Sequence, residues 1–319
     1  MGGIAGIISP TPSLISITRL EKMAHAIAHR GPDGKGCWIN KSNSAGFAHR
    51  RLSVIDLSEA AAQPMHYASG GSPASPHRYT ITYNGEIYNF PEIREELRSK
   101  GYTFRTRSDT EVILAAFDCY KEDCLHYFDG MFAFAIWDET EQTLFAARDR
   151  FGEKPFFYFF DETKSTFLFA SEMKALWAAG IEKEVEEEAL LCYIGLGATH
   201  SRVEKHRTFY KKIHALPSAH YIKWQLKRRH IAVYRYWDID RNNTSSCNAE
   251  EATDHFRSLF FTAVKRRLRS DVPVGTSLSG GLDSASIAGA IHALAPEHKN
   301  YKSFSAIFPG FEKDESAHI

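Results

Sequence analysis

The chain has 319 residues, of which 43% are hydrophobic and 24% are charged, and its formal net charge at pH 7 is +0. This composition indicates a globular protein with one large domain or two ordinary ones. The balanced charge argues against a surface built mainly for nucleic acid, and no apolar stretch approaches the ~20 residues that span a bilayer. The five cysteines favour reduced structural thiols in a cytoplasmic protein, and Cys119 and Cys124 lack the second pair of a zinc site.

The first 235 residues contain many short runs of β-branched and aromatic residues, which predict strands. The predicted strands are Ile4–Ile8, Tyr79–Tyr83, Met131–Trp137, Thr143–Ala147, Phe156–Phe160 and Phe167–Ala170. Helices are predicted over Ser16–His29 and Glu111–Tyr120, where apolar residues recur at helical spacing. Many strands with few helices in this order predict an α+β domain whose sheets pack face to face.

The composition becomes polar and turn-forming within residues 236–247, which predicts a linker between a first domain at 2–235 and a second domain at 248–319. Asn248 is a suitable N-cap for the helix that follows. A strand at Val274–Leu278, a glycine turn, a helix from about Asp283 and a strand at Ser303–Phe308 then predict the start of a doubly wound α/β sheet.

The glycine turn of the second domain has the features of an anion site. Gly280 and Gly281 let the backbone approach a phosphate, and the N–H groups of the following helix point outward with partial positive charge. Ser279 and Ser284 can add hydroxyl donors, and Asp283 can hold a metal ion or cap the helix. An ordinary strand-to-helix turn is the alternative, and the Gly-Lys ending of a Walker loop is absent. The whole string from Leu278 to Ser284 resembles the pyrophosphate loop of ATP pyrophosphatases.

Several strings in the first domain support a second resemblance. They are His29–Gly34, Ala48–Asp56, Tyr83–Asn89 (where Asn-Gly is expected to break a strand), Ser108–Ile113, Asp129–Ala135, Arg148–Gly152 and Ala170–Leu176. In this order and spacing they resemble the class II glutamine amidotransferase domain of asparagine synthetases. The resemblance implies an Ntn-type sandwich of two antiparallel sheets with flanking helices. A partial α/β domain of the adenine-nucleotide α-hydrolase type is expected to follow it.

The resemblance also implies roles for individual residues. Arg51 would clamp the α-carboxylate of glutamine, and Glu86 and Asp109 would meet its α-ammonium group. The pocket would also be lined by Val54 and Ile55, with the Asn84 side chain and the Gly85 N–H forming an oxyanion hole. ATP would lie on Leu278, Ser279, Gly280, Gly281, Asp283, Ser284 and Ala306, with Mg²⁺ bridging its phosphates. Aspartate is the implied acceptor, no protein-held metal site is expected, and a homodimer is compatible with the family. Singly, an arginine in a strand or an Asn-Gly pair would be an ordinary surface residue or turn.

The chain departs from this family at the position of the nucleophile. The family places cysteine directly after the initiator methionine, whereas this chain has Gly2, which carries no nucleophile. Glutamine is therefore expected to bind without being hydrolysed. An engineered replacement, a natural ammonia-dependent enzyme and a sequence error all remain open as explanations of Gly2.

The second domain is also short, because a doubly wound sheet typically needs ~5 strands. This predicts a fragment or truncated form of a glutamine-dependent asparagine synthetase. The alternatives are an amidotransferase of the same family that acts on another carboxylate and a non-catalytic glutamine-binding module.

Overall fold

The computed structural model describes residues 2–71, 76–199, 204, 206–228, 230–294 and 301–312. It divides into two compact units, Met1–Ile239 and Asp240–Ile319. This division falls inside the predicted 236–247 linker, and the exact domain limits stay a prediction.

Within the described residues the strands are β1 Gly2–Ile8, β2 Gly34–Ile39, β3 Ala45–Arg51, β4 Met65–Tyr67, β5 Tyr79–Ile87, β6 Gly130–Asp138, β7 Thr143–Arg148, β8 Phe157–Asp161, β9 Thr166–Ala170, β10 His214–Ala215, β11 His220–Gln225, β12 Ala232–Arg235, β13 Gly275–Ser277 and β14 Lys302–Phe304. The α-helices of the same residues are α1 Ile17–Ala26, α2 Phe90–Ser99, α3 Asp109–Tyr120, α4 Cys124–Tyr127, α5 Met173–Ala178, α6 Glu187–Leu196, α7 Ala249–Arg267 and α8 Leu282–Leu294.

The N-terminal unit is a sandwich of two antiparallel sheets. One sheet has the strand order β10-β8-β9-β1-β3-β2, and the other has the order β12-β11-β7-β6-β5-β4. Neighbouring strands in both sheets pair antiparallel, and β1 and β6 lie inside their sheets. The predicted α+β sandwich of two antiparallel sheets is confirmed.

Three buried clusters explain the layering of this unit. The cluster between the sheets joins residues such as Phe47 and Phe169 of the first sheet to Trp137 and Trp224 of the second. A second cluster places the apolar stripe of α1 and part of α5 on the outer face of the first sheet. A third places α2, α3 and α4 on the outer face of the second sheet. Each sheet is therefore apolar on both faces, and helices cover the two outer faces.

The six strands predicted in the first domain all overlap observed strands, but the expected break at Asn84-Gly85 is wrong. The strand β5 runs through both residues and stays paired with β6 over its whole length. A Cβ atom on Gly85 would lie 2.2 Å from the Met131 carbonyl oxygen. The glycine is therefore needed because β6 approaches closely, and it forms no turn. The first predicted helix also ends earlier, at Ala26 instead of His29.

The C-terminal unit begins with α7, which Asn248 caps in a capping box with Glu251. Its strands β13 and β14 pair in parallel, with α8 between them in sequence. The expected strand at Ser303–Phe308 is wrong beyond Phe304, where β14 ends. The Ser305 hydroxyl donates a hydrogen bond to the Leu278 carbonyl at 2.6 Å, in the place of a backbone N–H of a longer strand. Ala306 therefore lies in irregular backbone after β14.

No described helix combines the length and the apolar composition that crossing a membrane requires. The five cysteines, all of which are described, form no disulfide.

Candidate functional site

The edge of β5 near its end carries three backbone N–H groups that face the same side. The Tyr83 N–H donates to the Gln63 side chain at 2.7 Å, and the Ile87 N–H donates to the Asp109 carboxylate at 3.0 Å. Alternate residues of a strand direct their N–H groups to the same edge, so the Gly85 N–H points there too, between these two. The neighbouring strand β4 pairs only with Tyr79–Ile81 and does not reach Gly85.

Asn84 connects the two sheets at the start of β1. Its side-chain oxygen accepts a hydrogen bond from the Gly2 N–H at 3.1 Å. The Asn84 amide nitrogen is buried and has no hydrogen-bond partner among the residues that the structure describes. Arg30 donates to the Gly2 carbonyl at 3.1 Å. The Asn84 amide is thus held by its oxygen end, and its two N–H donors make no hydrogen bond within the described residues.

The backbone at Gly2 has a conformation that suits glycine. Its φ is +156°, and a Cβ atom built on this backbone would lie 1.9 Å from the Arg50 carbonyl oxygen. Any other residue at position 2 therefore requires the backbone to move locally.

A single cleft in the N-terminal unit brings most of the predicted site residues together. Its lining residues are Arg51, Leu52, Ser53, Val54, Ile55, Ala61, Gln63, Tyr83, Gly85, Glu86, Ser108, Asp109 and Thr110. Six of the predicted glutamine-site residues are among them, and Asn84 and Gly2 are not. Asn84 is the strand neighbour of the lining residue Gly85 and contacts Gly2 directly.

Arg51 ends β3 and turns its guanidinium group back onto the loop that follows. One terminal nitrogen donates to the Ser58 carbonyl at 2.9 Å, and the other donates to the Asp56 carbonyl. A guanidinium group has five N–H donors in a planar fork. These two contacts fix its orientation and leave donors for a carboxylate in the cleft.

Asp109 is the first residue of α3, and Ser108 caps that helix by accepting from the Thr110 N–H at 3.1 Å. One oxygen of the Asp109 carboxylate accepts from the Tyr83 hydroxyl at 2.8 Å as well as from the Ile87 N–H. The carboxylate is buried, so its position is fixed by strand β5 on one side and by its own helix on the other.

Two acidic groups share this buried region. Burial, followed by the nearby Asp109 carboxylate, raises the pKa of Glu86 to about 8. Burial also raises the pKa of Asp109, although hydrogen bonds from Ile87 and Tyr83 oppose this rise. Ionising both buried carboxylates costs more free energy than ionising one. The pair therefore holds a proton at neutral pH and favours a cationic ligand.

His49 lies beside this region on β3, and its Nε2 atom lies 3.1 Å from the Tyr83 carbonyl. Burial lowers the pKa of His49 to about 3, so the ring is neutral at physiological pH. It therefore adds no positive charge near the two acids.

The glycine turn of the C-terminal unit has a different construction. Gly280 has a φ of +79°, and the hydroxyls of Ser279 and Ser284 lie 3.0 Å apart across the turn. The Ser279 N–H donates to the Ser284 hydroxyl at 3.1 Å. Leu278 is tied to Phe304 of β14 by a backbone hydrogen bond of 2.9 Å, and Asp283 lies in the first turn of α8. The described part of the chain contains no cluster of three or more histidine, cysteine, aspartate or glutamate residues placed to hold a metal ion.

Residues 1–237 match the family described as Glutamine amidotransferase domain. The chain belongs to this family. Residues 255–319 match the family described as Asparagine synthase. The resemblance to glutamine-hydrolysing asparagine synthetases is thereby confirmed.

Curated relatives agree with both matches. Asparagine synthetase (glutamine-hydrolyzing) 3 of Bacillus subtilis strain 168 is 38% identical over 93% of this chain and 46% of its own length. Asparagine synthetase (glutamine-hydrolyzing) 1 of the same organism is 36% identical over 98% of this chain and 46% of its own length. Amidase chry2 of Gibberella zeae is 33% identical over 93% of this chain and 42% of its own length. The chain spans about half the length of these relatives.

A solved structure supports the fold. The glutamine phosphoribosylpyrophosphate amidotransferase of B. subtilis, complexed with ADP and GMP, has a TM-score of 0.52 and 16% identity. The match covers 95% of this chain and 65% of that chain. At this identity the similarity shows the fold alone.

Several lining residues were not predicted as site residues from the sequence. Gln63 and Tyr83 contribute polar groups whose role depends on strand pairing, which a local pattern does not show. Asp56, which lies outside the lining, was likewise not predicted as a site residue. Its spacing to Ser58 is the typical signal of a side-chain-capped turn and could have identified it.

Proposed function

We propose that the N-terminal unit binds free L-glutamine in the cleft and that the chain derives from a glutamine-dependent asparagine synthetase. The observation that carries this proposal is one cleft lined by an oriented guanidinium group, Arg51, and by two buried acids, Glu86 and Asp109. These groups complement the α-carboxylate and α-ammonium of an amino acid.

The charged end of glutamine would bind by ion pairing in a partly dry cleft. The free donors of Arg51 would form a bidentate contact with the α-carboxylate. The α-ammonium group would lie beside Asp109 and Glu86. Its positive charge would offset the free-energy cost of ionising these buried carboxylates. Binding would therefore release a proton from the pair near neutral pH.

The side-chain amide of glutamine would lie toward Asn84 and Gly85. The buried Asn84 amide donors and the Gly85 N–H suit a carbonyl oxygen that gains negative charge during attack. Gly2 offers no attacking atom there, so glutamine would be bound and left intact. Restoring a thiol at this position is the direct test of its role.

The C-terminal unit would contribute the nucleotide chemistry of the family. Backbone N–H groups at the start of α8 and the hydroxyls of Ser279 and Ser284 fit a polyphosphate, and Gly280 provides close approach. Asp283, in the first turn of α8, would meet a Mg²⁺ ion on such a phosphate. Bound ATP would supply the activation of a carboxylate, for which aspartate is the acceptor we propose.

The test of glutamine binding is titration calorimetry on four proteins: the wild-type chain, Arg51→Lys, Asp109→Asn and Arg98→Lys. Arg98 is an exposed helix residue paired with Glu95, which makes it a matched control for the arginine change. Loss of a bidentate or charge-paired contact is expected to weaken glutamine by about tenfold or more.

We expect the wild type and Arg98→Lys to bind glutamine equally and to release no ammonia. Glutamate in place of glutamine separates recognition of the amide from recognition of the charged end. Absence of glutamine binding by the wild type, or unchanged affinity in both cleft variants, would contradict the proposal.

A further inference from the structure

The cleft has two borders that come from distant parts of the sequence. One border is the loop 52–58, which follows Arg51 and lines the cleft with residues 52–55. The other is the segment 105–108, which precedes Asp109 and lines the cleft with Ser108. A glutamine molecule held as proposed must touch Arg51 and Asp109 at once. The separation of the two borders therefore determines whether the cleft fits an α-amino acid.

Asp56 shapes the first border. Its φ is +53°, and its carboxylate accepts from the Ser58 hydroxyl at 2.6 Å and from the Ser58 N–H at 3.2 Å. This closes a tight turn that directs the Asp56 and Ser58 carbonyls at the Arg51 guanidinium. The orientation of Arg51 thus depends on the turn that Asp56 closes.

The same carboxylate reaches the second border. Its other oxygen accepts from the Arg107 N–H at 2.8 Å, two residues before Asp109. Glu111 fixes the neighbouring backbone by accepting from the N–H groups of Arg105 and Thr106. Asp56 is only 4% exposed, and both of its oxygens are occupied by donors from the two borders.

We infer that Asp56 is a positioning residue that sets the spacing between Arg51 and Asp109 and so makes the cleft selective for ligands with adjacent α-ammonium and α-carboxylate groups. This inference rests on the proposed function of the cleft. Asp56 acts through Arg51 and the segment before Asp109 and does not touch the ligand.

The variant Asp56→Asn tests this role with little change in shape. Asparagine tolerates the positive φ, so the backbone of the turn is retained. Its amide, however, has one accepting oxygen where the carboxylate has two. Either the Ser58 N–H or the Arg107 N–H then loses its acceptor, and one border is released from the other.

Asp161→Asn is the matched control. Asp161 accepts from the Thr163 hydroxyl at 2.6 Å and from the Thr163 N–H at 3.0 Å, which reproduces the turn of Asp56 and Ser58. It lies outside the lining of the glutamine cleft. The two variants therefore share the local chemistry and differ in the bond across the cleft.

The measurement compares two ligands by ligand-observed NMR titration: L-glutamine and 4-aminobutanamide, which lacks the α-carboxylate. The readout is the dissociation constant of 4-aminobutanamide divided by that of L-glutamine. This ratio isolates the contribution of the α-carboxylate to binding. We expect Asp56→Asn to shrink this ratio by about tenfold, because the charge-assisted contact with Arg51 is misaligned. Asp161→Asn should keep the wild-type ratio.

A merely structural role would weaken both ligands alike and leave the ratio unchanged, and that result would overturn the inference. If Asp56→Asn unfolds, Ser58→Ala removes one donor of the turn and keeps the Arg107 bond. It is expected to shrink the ratio by about threefold, and an unchanged ratio there would also overturn the inference. If the wild-type chain binds neither ligand, the proposed function fails instead.

Discussion

The glutamine cleft and the glycine turn are both candidate ligand sites, but they are built in opposite ways. The polar groups of the cleft, such as Glu86 and Asp109, are buried, and Asp109 at the start of α3 is held by hydrogen bonds from two residues of β5. The groups of the glycine turn are exposed or half-buried, and the hydrogen bonds of Ser279 and Ser284 stay within the turn. One site is shaped by tertiary structure and the other by local backbone.

This difference indicates how each site gains affinity. A buried, preorganised cleft concentrates its free energy of binding in a few charged side chains, each of which is costly to replace. A turn that offers N–H groups spreads its contribution over the backbone, so single side chains matter less. Substitutions should therefore have large effects in the cleft and smaller effects in the turn.

The largest effect is expected for Gly2→Cys, which tests whether the cleft lacks only its nucleophile. After removal of Met1, confirmed by mass spectrometry, the thiol should raise ammonia release from glutamine by several orders of magnitude. The added Cβ must escape the Arg50 carbonyl oxygen, so we also expect a loss of about 1–3 kcal/mol in the free energy of unfolding.

Gly2→Ala is the control for this variant, because it adds the same Cβ atom without a thiol. It should show the same loss of stability and no ammonia release. Should Gly2→Cys bind glutamine and still release no ammonia, position 2 would not be the place of the nucleophile.

The fold of the cleft region was largely predictable, because its strands are marked by local composition. The predicted strands Tyr79–Tyr83 and Met131–Trp137 lie within β5 and β6, and β5 carries Tyr83, Gly85 and Glu86 of the cleft. The predicted helix Glu111–Tyr120 begins two residues after the observed start of α3 at Asp109, which Ser108 caps. Local capping and alternation were sufficient for these elements.

The interpretation of Asn84-Gly85 as a break failed for a physical reason. The glycine is required by the approach of β6, which lies more than forty residues away in sequence. Likewise the bond from Asp56 to Arg107 joins two loops and leaves no local signal of its partner. Such long-range contacts cannot be derived from spacing within one segment.

The next effect concerns the buried acid pair and its dependence on pH. The pKa of Glu86 rises from an ordinary 4.5 to about 8 on folding, so the folded chain binds more protons than the unfolded chain between these values. The free energy of unfolding should therefore fall as the pH rises from about 4.5 to about 8, by up to about 1.4 kcal/mol per pH unit from this group. Glu86→Gln should remove this contribution.

Urea unfolding at pH 5, 6.5 and 8 measures this effect. The stability of Glu86→Gln relative to wild type should grow with pH, whereas Glu141→Gln, at an exposed carboxyl, should follow the wild-type curve. Parallel curves for Glu86→Gln and wild type would show that Glu86 does not carry the proton.

Substitutions in the glycine turn should have a smaller effect on ligand binding, and Gly280→Ala measures that effect. At a φ of +79° an alanine is strained by about 1–2 kcal/mol, so the free chain should relax to a turn that no longer presents its N–H groups, and ATP binding should weaken by about tenfold. Gly289→Ala in α8 is the matched control, because its Cβ would meet no atom within 4 Å and alanine favours the helix. Fluorescent ATP-analogue titration that showed equal affinities for both variants would remove the turn from the nucleotide site.

The smallest effect is expected for the removal of a helix N-cap, which can be compared between the two units. Asn248→Ala removes the capping box of the exposed helix α7 and should cost about 1 kcal/mol, seen as faster hydrogen exchange in residues 249–253. Ser108→Ala removes the cap of α3 at a similar cost, but it also loosens Asp109 and should weaken glutamine binding. Because the cap at Asn248 positions no cleft group, glutamine affinity should stay unchanged there. If both variants changed glutamine affinity equally, the distinction between a site shaped by tertiary structure and a site shaped by local backbone would not hold.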